Sequence, residues 1–178
     1  MPLRTLAGLT LLLALPAVAA AQAHPSGYAD GRSTQVKTLS QAEVDELLAG
    51  AGMGMALPAE LNGYPGPRHV LELADSLALT PEQRSGVEAI FRRMEEEAKE
   101  LGAGVVAAEK ALDALFVGGR ATPEALAAGL KAAEALRAEL RRVHLAAHLE
   151  TKPLLSVHQV HTYTRLRGYG DGHAHISH

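Results

Sequence analysis

The sequence contains no cysteine and no tryptophan, and aromatic residues make up only 3% of it. Without thiols it can form neither a disulfide scaffold nor a thiolate metal site, so any metal chemistry falls to imidazole, carboxylate or thioether groups. So few aromatics argue against the large aromatic-lined pocket that many small-molecule enzymes build. No segment alternates at period two, so no strand is expected. There is no nucleophile elbow and no phosphate-cradling glycine loop, which makes an enzyme the least favoured class. A formal net charge of -3 leaves no electrostatic footprint for nucleic acid.

The N-terminus carries an export signature. Arg4 supplies a short positive region, Leu6 to Val18 an apolar stretch broken by Pro16, and Ala21-Gln22-Ala23 a small-x-small cleavage site. The apolar run is short for a membrane span. Residues 1–23 are therefore expected to be a cleaved signal peptide directing the chain to the periplasm, with an uncleaved membrane anchor as the alternative. Cleavage after Ala23 would leave His24 first; cleavage after Ala21 would leave Gln-Ala-His, a tripeptide able to bind Cu(II) or Ni(II). The remainder is long enough for one domain with a modest core.

Ala and Leu dominate, and the punctuation is helical. Residues 24–67 are expected to be a flexible region with one short helix, opened by the capping box Ser40-Gln41-Ala42-Glu43 and ended by Gly50. The stretch from Ala51 to Pro67, dense in Gly and Pro, predicts a loop. A helix is expected from about Arg68 to Leu79, and a long one from Pro81 to about Val117. The long helix carries an apolar seam at Phe91, Met94, Ala98, Leu101, Val105, Ala108, Leu112 and Leu115, in alternating steps of three and four. Gly102 and Gly104 interrupt it, where a neighbouring backbone could approach or the helix bend. Gly118-Gly119 closes that helix, and Thr122-Pro123 opens another running to about Glu150, where Pro153 stops it. The class is all-α: an antiparallel long helical hairpin with shorter flanking helices. Residues 68–169 form the helical domain, with a last helix from about Val157 to Arg167. Residues 170–178 form a His-rich, unstructured tail.

Nine histidines are the clearest chemical resource. His144 and His148 stand i, i+4 on one helix face, where two imidazoles can chelate one ion. If the hairpin turns near residues 119 to 121, facing positions sum to roughly 240. Met94, Glu95 and Glu88 then lie within about one turn of the pair, and the shorter hairpin around Thr80 puts His69 opposite Phe91. His69, Met94, Glu95, His144 and His148 thus form a candidate metal set whose nitrogen and oxygen donors suit Zn, Cu, Ni or Co. His173, His175 and His178, with His158 and His161 on the preceding helix, offer a second, weaker set. Met53 and Met55 are spaced like soft copper ligands, although Gly-Met-Gly-Met also reads as a mobile hydrophobic plug.

Two helix-start signatures recur, Leu79-Thr80-Pro81-Glu82-Gln83 and Leu155-Ser156-Val157-His158-Gln159. In each the hydroxyl of Thr80 or Ser156 can cap the first turn, and Gln83 or Gln159 can reach back to the cap's own N–H. The pattern resembles the LTxxQ motif of the Spy/CpxP family of periplasmic proteins and of its zinc-resistance and cobalt–nickel-sensor relatives. The second copy has Ser for Thr and Val157-His158 for the usual Pro-Glu. The resemblance covers roughly residues 68 to 169. It implies a small, often cradle-shaped helical homodimer acting in envelope stress as an ATP-independent chaperone, an inhibitor of signalling through a membrane partner, or a heavy-metal sensor or buffer. The cobalt–nickel sensors bind metal through helix histidines at this spacing, with Glu and Met. Three readings follow: a metal-binding stress protein, a chaperone for unfolded clients without a specific metal role, or a ligand-free structural module.

Overall fold

A computed structural model describes residues 36–169. The expected signal peptide, His24 and the tail histidines His173, His175 and His178 lie outside the described residues. Among the described residues six helices follow one another: α1 (Gln41–Leu48), α2 (Leu57–Leu61), α3 (Pro67–Glu72), α4 (Pro81–Val117), α5 (Pro123–Thr151) and α6 (Val157–Leu166), with a 3-10 turn at Lys152–Leu154 between the last two. No strand occurs among the described residues, and none of their helices is long and apolar enough to cross a membrane.

Local chemistry sets the helix starts. Ser40, Thr80 and Ser156 each accept the backbone N–H three residues on, and Glu43, Gln83 and Gln159 return the bond to close capping boxes. Thr122 caps α5 by accepting from the Ala125 N–H, with Pro123 in the first turn. Gly119, at φ 61°, turns the chain from α4 into α5.

The α4–α5 hairpin is the backbone of the molecule and keeps close to the expected register. Gly104 faces Leu136, and Gly129 faces Leu112 so closely that a Cβ there would lie 2.5 Å from a Leu112 methyl. Ile90 and Met94 pack on Val143 and Ala147. Arg93 pairs with Glu150 across the outer side, and Arg137 pairs with the largely buried Glu109 at 2.7 Å. Toward the turn apolar side chains open to solvent: Leu130 is 47% exposed and Phe116 61%.

Three local expectations change. The helix expected to Leu79 stops at Glu72, and residues 73–78 continue as turns ending in a left-handed Ala78 (φ 48°). That break swings Leu77 and Leu79 onto Val87, Leu155 and Tyr163, which a continuous helix would not do. The Gly/Pro stretch contains α2, opened by Pro58 in its first turn. The N-terminal region expected to be flexible is packed from Val36 onward: Val36, Leu39, Val44 and Leu47 share one apolar cluster with Ala98, Val105, Val106 and Leu140. Gly102 permits this, because a Cβ there would stand 2.0 Å from the Leu47 carbonyl oxygen. The close approach of a neighbouring backbone is thus the role of Gly102, while Gly104 makes room for Leu136.

The two capping signatures meet. Gln83 and Gln159, 76 residues apart, exchange amide hydrogen bonds of 3.0 and 2.9 Å. Each amide nitrogen also donates to a backbone carbonyl beside the opposite motif, Gln83 to Leu154 and Gln159 to Leu77. Each amide oxygen also accepts its own cap N–H, at 3.1 Å for Gln83 and 2.8 Å for Gln159. Both donors and both lone pairs of each side chain are therefore used. Removing one partner strands groups of the other, at about 1–3 kcal/mol. Gln83→Ala and Gln159→Ala should each destabilise the protein by about that much in urea unfolding, with a double variant milder than the sum by about 0.5–3 kcal/mol. Simple additivity would show that the two motifs act independently.

Candidate metal site

Beneath the stretch from Ala49 to Gly66, a cavity of about 450 Å³ opens between α2, α3 and the hairpin. His69, Met94, Glu95, His144 and His148 all line it. The i, i+4 spacing on α5 places both imidazoles on the face that meets the N-terminal segment, 4% and 6% exposed.

The five candidates are held differently. His148 donates Nδ1–H to the Tyr64 carbonyl at 2.7 Å, which leaves Nε2 on the side of the ring that faces Gly66. His144 Nε2 is buried with no hydrogen-bond partner. Burial first, and the neighbouring His148 second, hold the His144 imidazole below its ordinary pKa, which keeps the ring neutral and able to ligate. Met94 packs in the hairpin core with Ile90, Val143 and Ala147. His69 pairs through Nδ1 with Glu72 of its own helix at 2.8 Å, and Glu95 pairs with Lys99 at 3.4 Å. These two stand at the rim, while the α5 pair lies at the floor.

Glu60 and Tyr163 also belong to this region, and no sequence pattern marks them. Glu60, from α2, is 8% exposed and accepts from the Tyr163 hydroxyl at both carboxylate oxygens, at 2.9 Å (Oε1) and 2.7 Å (Oε2). Burial and that carboxylate push the Tyr163 hydroxyl far above its ordinary pKa, so it remains a donor. Nothing in the spacing marks Glu60; its only local signal is a lone carboxylate between Ala59 and Leu61 in an otherwise apolar turn. At Gly66 a Cβ would lie 2.8 Å from Glu60 Oε1 and 3.0 Å from His148 Nε2, so the missing side chain leaves these two atoms facing a common space.

Two imidazoles, a carboxylate and a thioether form a donor set that fits a borderline divalent ion. Among the described residues, no three His, Asp or Glu side chains stand close enough to hold an ion as they lie. The donors are gathered, and a coordination shell would require them to close in. His158 and His161 lie exposed on α6, away from the cavity lining. Thr80, Gln83, Ser156 and Gln159 are engaged in capping and in the paired amides. Compared with family models, with curated proteins and with solved structures, the chain matches none.

The buried His144 gives a pH signature. In the unfolded chain its imidazole takes up a proton near the ordinary pKa of about 6.5. In the folded chain it does so only at lower pH, so the unfolded state binds more protons in between. Stability from this residue is full above about 6.5 and is lost as pH falls toward the folded value. With chelator present, melting temperatures measured from about pH 8 to 5 should fall more steeply for the wild type than for His144→Leu. Parallel curves would contradict the assignment.

Proposed function

We propose that this chain is a periplasmic metal-stress protein of Spy/CpxP-like design, binding a transition-metal ion such as Zn, Cu, Ni or Co as a sensor or buffer. The observation that carries the reading is the His144 Nε2 atom, buried and unpartnered one helical turn from His148. A polar atom stranded in this way costs about 1–3 kcal/mol, and a ligand that uses it offsets that cost. The His148–Tyr64 bond supports the same reading, since metal-bound histidines commonly anchor the other ring nitrogen to a carbonyl. The bound ion would supply a Lewis-acidic centre, and the protein's part would be to admit it, exclude water and report its presence. The apolar surface left open by Phe116, Val117 and Leu130 is a natural surface for a second copy of the chain.

Chaperone action on unfolded clients is the second reading. It is favoured by Phe116, Val117 and Leu130, which leave apolar surface open near the hairpin turn. It requires none of the histidines.

Calorimetric titration with Zn(II), Ni(II) and Cu(II) separates the two, using the full chain with His173, His175 and His178 replaced by Ala throughout. One ion per chain is expected to bind, with binding abolished in the His144→Ala/His148→Ala variant. Unchanged binding in that variant, or none in its parent, would remove the cavity from the account. Suppressed aggregation of a model client in the presence of chelator would then bring the chaperone reading forward.

A further inference from the structure

The buried side-chain polar atoms that lack a partner among the described residues are His144 Nε2 and Arg167 Nε. Both residues line the same cavity of about 450 Å³. Buried polar groups almost always find partners, so two orphans at one cavity mark a place where a partner from outside belongs.

Arg167 sets the chemistry of that partner. A guanidinium keeps its charge and can only donate. Its Nη2 donates to the Tyr169 hydroxyl at 3.1 Å, while Nε has no acceptor. Arg167 forms no ion pair among the described residues. Glu60 of the same cavity acts on its charge from a distance, but both oxygens of that carboxylate accept from Tyr163. What Arg167 lacks is an acceptor, and a carboxylate matches the guanidinium fork in shape and charge. The neutral His144 ring offers a further hydrogen bond without adding charge.

The remaining lining calls for more than a bare anion. Phe91 and Met94 contribute apolar wall, and Met53 and Leu57 line the cavity while 38% and 49% exposed. Small organic ligands occupy pockets of roughly 300–1,000 Å³, and this volume falls within that range. Access is plausible on both sides. Arg167 is only partly buried. The turn Gly52–Met55 lies against His144, with the Cβ position of Gly52 3.8 Å from Nδ1. One hydrogen bond closes that turn, from the Met55 N–H to the Gly52 carbonyl at 2.7 Å, and Met53 and Gly54 hold φ 45° and 74°. So lightly tied a turn can yield as a ligand reaches the ring.

We propose that this cavity binds a small organic acid, with its carboxylate on Arg167 and His144 and its apolar body against Phe91 and Met94. The proposal goes beyond the metal-binding reading and requires no ion. Glu60 opposes the incoming anion, because its own negative charge already acts on Arg167.

Calorimetric titration of the full chain in the presence of chelator tests this. The probes are octanoate, an acyl chain, and N-acetyl-leucine, which resembles the carboxyl end of a peptide; octanol and N-acetyl-leucinamide are their uncharged counterparts. At least one acid is expected to bind once per chain, about tenfold or more tightly than its counterpart. Arg167→Gln should weaken that binding about 10–100-fold, and Arg167→Lys, which keeps the charge without the fork, should recover only part of it. Glu60→Gln leaves Tyr163 an acceptor and removes the repulsion, so it should strengthen binding by about twofold or more. Arg68 lines the same cavity but pairs with Glu72 on its own helix, and Arg68→Gln should stay within about twofold of the parent. Circular dichroism checks the fold of each variant, and the Glu60→Gln result stands even if the Arg167 variants unfold. Failure of both acids to bind, equal binding of acids and uncharged counterparts, parental affinity in folded Arg167→Gln, or weaker binding in Glu60→Gln would each overturn the proposal. Zn(II) binding is measured separately, so either proposal can fail alone.

Discussion

The paired amides of Gln83 and Gln159 are the interaction on which the remaining geometry depends. Each side chain begins a helix, crosses to the other and ties down a carbonyl of the opposite connection. The strength comes from completeness: four hydrogen-bonding positions per amide are filled, in a setting where an unfilled one is expensive. Without the contact, α6 would be a ten-residue helix held by little more than Tyr163 and Val160. With it, the position of α6 along the start of α4 is fixed to within a hydrogen bond. Tyr163, one turn further, then reaches Glu60 on α2. A capping device at one end of the bundle thereby sets the electrostatics of a cavity on its flank.

That cavity breaks the rule that buried polar groups find partners. The hairpin core around it is built of Ile90, Met94, Val143 and Ala147, an ordinary apolar packing. His144 of α5 leaves a ring nitrogen unpartnered, and across the cavity the Arg167 Nε is buried without a partner as well, beside a Glu60 carboxylate that accepts from the Tyr163 hydroxyl. A ligand-free protein selected for stability alone would be better served by Leu or Gln at these positions. Gly66 keeps side-chain bulk away from His148, where a Cβ would lie 2.7 Å from the imidazole Cε1.

The helix boundaries were legible because they are local: Ser40, Thr80, Thr122 and Ser156 announce starts within four residues, and Gly119 and Pro153 announce stops. The α4–α5 register followed from a single short turn, and with it the approach of Met94 and Glu95 to His144 and His148; His69 lines the same cavity although the helix expected to carry it to Leu79 ends at Glu72. Contacts between segments distant in sequence were not legible. Nothing local says that Gln83 will find Gln159, that Leu47 will cross α4 at Gly102, or that the Gly/Pro stretch will fold back to deliver Glu60. The early end of α3 was hidden for the same reason, since the pull of Val87 and Tyr163 on Leu77 is tertiary. A lone Glu in a five-residue helix has no periodicity from which to be read.

The central claim is that an ion enters this cavity and engages the α5 histidines, rather than collecting on exposed imidazoles. Long-range proton–nitrogen correlation of the histidine rings during a Zn(II) titration of the full chain tests it directly, because each ring nitrogen reports its own proton or metal. The account predicts that the His144 and His148 resonances shift together and saturate at one equivalent, with the His148 Nδ1 proton retained. Movement confined to His158, His161 and the C-terminal histidines, with His144 and His148 unchanged, would contradict it.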